Sequence, residues 1–148
     1  MTSTFELNAA VGLEEVGDIR RFVYALQRRW TSDRDLRERV MLAAHELLEN
    51  AAKYASDGRA WFRIEANGAE LTIRTRNRAS AQNAIALAAV VSALASTDDA
   101  MGFYVELMGR AGRGGLGLGR VAAECEMSVR CSVVDDVVEI EARTRGAA

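Results

Sequence analysis

The sequence predicts an α+β protein, a two-layer sandwich of helices set beside an antiparallel meander. Three observations carry this reading. Apolar residues recur at helical spacing through residues 13–56. The period then switches to two across residues 61–77, around an Asn67-Gly68 turn, and again beyond Cys125. Between those strand regions lies a second, uncharged helical stretch. The order is β-α-α-β-β-α-α-loop-(α)-β-β, read as one domain over residues 1–148, long enough to bury a core.

Residues 4–10 alternate weakly and read as an edge strand. Leu13, Val16, Ile19, Val23, Leu26 and Trp30 fall at helical spacing, and Thr31, Ser32 and Asp33 supply a turn and an N-cap. The chain is organised around the next helix, residues 35–56. Val40, Ala44, Leu47, Leu48, Ala51 and Ala55 form its apolar stripe. Glu46, Asn50 and Lys53, at i, i+4 and i+7, form a second, polar stripe. A solvated face with a Glu49–Lys53 pair is the plain explanation of that stripe. Asp57-Gly58 stops the helix.

In the second strand of the hairpin, Leu71, Ile73 and Thr75 are expected inside, with Glu70, Thr72, Arg74 and Arg76 towards solvent. Residues 79–97 carry no charge, yet Ser80, Gln82, Asn83 and Ser92 make them a poor membrane span. A buried helix is expected there, or one covered by another chain, a homodimer included. Asp98 and Asp99 are read as caps of a helix over residues 101–109 rather than as metal ligands. The glycine-rich run 109–120 is expected to be a loop leading into a helix at Val121. Cys125, Met127, Val129, Cys131 and Val133 then alternate with polar residues, and Val138, Ile140 and Ala142 do so after a turn at Asp135-Asp136. The two cysteines read as small buried thiols, and the tail from Arg145 as frayed.

A net charge of −2 gives no footprint for nucleic acid or an anionic membrane. Two cysteines make neither a disulfide framework nor a zinc spacing, and the first residues lack the basic-then-apolar pattern of a secretory signal. A reduced, cytoplasmic protein is expected.

Glycine turns ahead of a helix N-terminus gather backbone N–H groups and suit a phosphate chain, with Arg110, Arg113 and Arg120 as flanking donors. Alone, that stretch is equally a loop with arginines in solvent. Together, HELLENAAKY at 45–54 and GGLGLGRV at 114–121, with a hairpin between them, resemble the GHKL (Bergerat-fold) ATPase superfamily. The likeness is strongest to its stand-alone anti-sigma-factor serine kinases. It implies a mixed, mostly antiparallel sheet covered by helices on one face, with ATP and Mg²⁺ as ligands. It also implies phosphoryl transfer to a Ser or Thr of a protein antagonist, with a STAS-like protein or a sigma factor as partner.

On that resemblance Asn50 is the Mg²⁺ ligand, Glu46 the base or polariser for the attacking hydroxyl, and Lys53 a phosphate contact, as is Arg113. Gly115, Leu116, Gly117 and Leu118 match the second glycine box. Asn77 stands where the superfamily has the adenine-binding Asp, and the following Arg78-Ala79-Ser80 lacks the glycines of the first box. Asn77 retains a carbonyl acceptor without the charge. Ordinary helices stand where the mobile lid is expected. His45, about 100° around the helix from Glu46, reads as a local hydrogen-bonding residue. Two other functions fit the same fold: a non-catalytic module acting by sequestration or dimerisation, and a detached domain phosphorylating a histidine on another protein.

Overall fold

The computed structural model describes residues 2–109 and 115–145. Along them run β1 (Thr2–Ala10), α1 (Leu13–Leu26), α2 (Arg34–Tyr54), β2 (Arg59–Asn67), β3 (Glu70–Arg78), α3 (Ala81–Ser96), α4 (Ala100–Met108), α5 (Leu116–Ala123), β4 (Met127–Val134) and β5 (Val137–Thr144). The strands make one sheet in the order β1-β2-β3-β5-β4. Every pairing in it is antiparallel, which corrects the mixed sheet that the resemblance implied. The helix pair α1 and α2 returns the chain to the end where β1 finished, so β2 runs back along β1 from Arg59 opposite Ala10.

The pleat sends alternate residues to opposite faces. Ala60, Phe62, Ile64 and Ala66 of β2, Leu71 and Ile73 of β3, and Val138, Ile140 and Ala142 of β5 are buried together. The helices cover this face: α2 packs on β2 and β3, and α3 and α5 pack on β4. Val40, Ala44, Leu47, Leu48 and Ala51 of α2 meet it as the stripe predicts. On the opposite face Arg74 pairs with Glu141 at 2.9 Å and Arg76 with Glu139 at 2.9 Å, while the Arg76 guanidinium lies 4.2 Å over the Trp61 ring.

Asp33 caps α2 as expected, accepting from the Leu36 N–H at 3.1 Å, and Asp99 caps α4 by accepting from the Gly102 N–H at 2.9 Å. Four local expectations change. Leu13, at 81% exposure, does not join the core; α1 gives way to a 3₁₀ turn at Gln27–Arg29, and Gln27 is buried with its amide donating to the Arg37 carbonyl at 3.1 Å. The hairpin turn is Gly68-Ala69, since Asn67 pairs with Glu70; Gly68 alone takes a positive φ of 62°, the pattern of a type II′ turn. The uncharged α3 is only half covered: Ala84, Leu87, Val91 and Leu94 are buried while Ile85 is exposed. Finally, α5 begins at Leu116, five residues ahead of the expected start. No described helix is long and apolar enough to cross a membrane. The tail beyond Arg145 lies outside the described residues.

Candidate functional site

Burying the apolar stripe of α2 against the sheet turns its polar stripe towards α5. Between them opens a cleft of about 390 Å³. Glu46, Asn50 and Lys53 line one wall, with His45, Glu49 and Tyr54 beside them; Gly115, Leu116, Gly117 and Arg120 line the other. The structure thus brings together most of the residues singled out in two motifs some sixty positions apart. Leu118 does not line the cleft; its side chain is buried in the core. Arg113 and the rest of the run 110–114 lie outside the described residues.

The glycine-box wall is a helix end rather than a loop. Gly115 is the N-cap, at φ 91°, and the first intrahelical bond runs from the Gly119 N–H to the Gly115 carbonyl at 2.9 Å. The N–H groups of Leu116, Gly117 and Leu118 precede that bond and have no intrahelical partner. With the helix dipole they make this wall electropositive. Two close approaches require glycine. A Cβ on Gly115 would stand 2.8 Å from Val90 of α3, and one on Gly117 would overlap the Glu46 carboxylate.

Glu46 is buried and engaged. Its Oε1 accepts from Arg120 Nη1 at 2.9 Å, and its Oε2 lies against Gly117. Arg120 in turn donates from Nε to the Tyr104 hydroxyl at 3.2 Å. That hydrogen bond is the largest cause raising the Arg120 guanidinium above its usual value; burial works against it, and Glu46 and Glu124 add to it. Arg120, read from sequence as a phosphate donor, is therefore a link among α2, α4 and α5. Tyr104 escaped sequence reasoning, because nothing in the spacing of α4 marks its hydroxyl. The expected Glu49–Lys53 pair gives way to a His45–Glu49 contact at 2.8 Å, in keeping with the local role read for His45. The Lys53 ammonium lies 5.2 Å over the Tyr54 ring.

Asn77 is not part of the cleft lining. It continues the buried face of β3, 6% exposed, and its amide donates to the Arg78 carbonyl at 3.0 Å. Three residues later Ser80 caps α3, its hydroxyl accepting from the Asn83 N–H at 3.2 Å. Strand thus passes to helix with no room for the glycine turn of the first box.

These elements define a helix-backed antiparallel sheet with a polar cleft between α2 and α5. A chain in the crystal structure of the SiaB–SiaC complex from Pseudomonas aeruginosa is similar in fold. It matches with a TM-score of 0.77 at 16% identity, over 94% of this chain and 88% of that one. At that identity the likeness speaks for the fold alone. No protein-family model matches the chain, and no curated protein matches it.

Proposed function

We propose that this protein is a regulator of the partner-switching type on a GHKL-like fold, whose cleft binds Mg²⁺-ATP and transfers its terminal phosphoryl group to a Ser or Thr of a protein antagonist. One observation carries the reading: Glu46, Asn50 and Lys53 face the open amides of α5 across a single cleft. A carboxylate, an amide, an ammonium and a helix N-terminus are what phosphoryl transfer asks of a protein, which mainly positions groups and offsets charge.

The residues fit the phosphate end of the nucleotide. The amides of Leu116 and Gly117 would meet phosphate oxygens, and Lys53 would add a mobile charge. Among the described residues no three His, Cys, Asp or Glu side chains gather to hold a metal. On the resemblance to the GHKL superfamily, the Asn50 amide oxygen would hold Mg²⁺. Bound Mg²⁺ would supply charge neutralisation. Glu46 is placed to orient an incoming hydroxyl and take its proton once its oxygens are free. The base end fits less well, since the buried Asn77 offers no carboxylate. Support for a protein partner comes from the fold neighbour, which was solved in a two-protein complex.

The test is phosphoryl transfer from labelled ATP to a partner captured with the protein. Transfer lost in Glu46→Ala, in a chain that still binds nucleotide, is the expected result; undiminished transfer removes Glu46 from the chemistry. A second reading, a non-catalytic module, draws on the buried Asn77 and on the exposed Ile85 of α3. It expects no nucleotide binding, and a homodimer through α3 would appear as doubled mass in light scattering. The expected setting is cytoplasmic.

A further inference from the structure

Three side chains from three helices form a hydrogen-bonded chain in which only Glu46 has a role in the proposed function: Tyr104 of α4, Arg120 of α5 and Glu46 of α2. Tyr104 is 3% exposed, and it holds the Arg120 Nε while Nη1 holds Glu46. The guanidinium thereby engages the Glu46 carboxylate through Oε1, while Oε2 lies close to Gly117. A carboxylate held by a guanidinium must first be released from it to take a proton from a substrate hydroxyl. Glu124, 3.7 Å from the Arg120 Nε, offers the guanidinium another carboxylate on its own helix.

We infer that Arg120 is a positioning residue that latches Glu46 in a resting state, with Tyr104 as its anchor. This rests on the cleft being a nucleotide site. Release requires only that Arg120 turn towards Glu124, or that α4 carry the Tyr104 hydroxyl away. Glu46, already in the cleft wall, then has its charge uncompensated. The device couples α4, whose Met101, Val105 and Met108 are exposed, to the one carboxylate buried beside the cleft.

The experiment is ATP hydrolysis by the full chain without any partner, water being the acceptor, together with calorimetric titration of Mg²⁺-ATP. Arg120→Gln is expected to raise kcat about tenfold, with a smaller rise in Tyr104→Phe. Adding Glu46→Gln to Arg120→Gln is expected to erase the gain, and Arg120→Lys, which keeps the charge, to restore a low kcat. A rise that survives Glu46→Gln overturns the latch, and so does unchanged or lower kcat in both Arg120→Gln and Tyr104→Phe when both bind nucleotide. Should the parent chain bind no Mg²⁺-ATP, the proposed function falls and takes the latch with it; binding without the Glu46-dependent gain removes the latch alone.

Discussion

Under the proposed function the α2–α5 cleft and the β3–α3 junction would be the two halves of one nucleotide site, and they differ. At the cleft, Asn50 and Lys53 stand on one wall and Leu116 and Gly117 on the other, where a phosphate chain could be held. At the junction, Asn77 is folded into the core and the chain turns straight into a capped helix. The contrast teaches that the two halves depend on different physics. Under the proposed function, phosphate recognition would use a helix end and a side-chain stripe, which survive whenever α2 and α5 pack. Base recognition uses a glycine turn, which a single strand-to-helix joint can eliminate.

Substitutions at the two ends sharpen that contrast. The largest effect is expected from Asn50→Ala, which should weaken Mg²⁺-dependent nucleotide binding by about 100-fold, read by calorimetry. Gly117→Ala follows. Its new methyl must displace the Glu46 carboxylate, and a stability loss of about 1–3 kcal/mol is expected in urea titrations. Lys53→Ala removes one exposed charged contact and should cost about 1 kcal/mol of nucleotide affinity, roughly fivefold. Asn77→Ala should leave nucleotide affinity within about twofold while lowering stability by about 1 kcal/mol, since it loses a buried hydrogen bond. An Asn77→Ala chain that lost nucleotide binding would erase the difference between the two ends.

A subtler test concerns the far end of α5. Cys125 follows that helix, and burial pushes its thiol up from 9.0 to about 12. A folded value above the unfolded one means that the stability it contributes is complete below about pH 9 and is lost as pH rises towards 12. Compared with Cys125→Ala, the parent chain should lose stability in urea titrations above pH 9 and not below it. Alkylation of the native thiol at pH 8 should be slow, and it should quicken in Arg120→Gln if α5 loosens.

Much of this was legible in the sequence because each element states its own period. The stripe of α2 and its Asp33 cap are local signals, and the fold keeps them; the alternation of β3 holds except at Thr72, expected towards solvent and 7% exposed. The start of α5 was not legible. Gly117 and Gly119 argue against helix by propensity, yet tertiary packing selects them: a Cβ on Gly119 would press on Leu107 and Tyr104 at 3.1 and 3.2 Å. The Glu46–Arg120 pair was hidden for a related reason. Seventy-four residues separate the partners, and only the docking of α5 on α2 reveals that the arginine is occupied. The hairpin turn slipped by one residue because Asn67-Gly68 and Gly68-Ala69 both satisfy a turn rule, and strand pairing decides between them.

The most direct measurement is calorimetric titration of the full chain with a non-hydrolysable ATP analogue, with and without Mg²⁺, in the parent, Asn50→Ala and Asn77→Ala. Mg²⁺-dependent binding that disappears in Asn50→Ala and persists in Asn77→Ala is the predicted result. No heat at millimolar ligand from the folded parent, or binding that Asn50→Ala leaves intact, would contradict it.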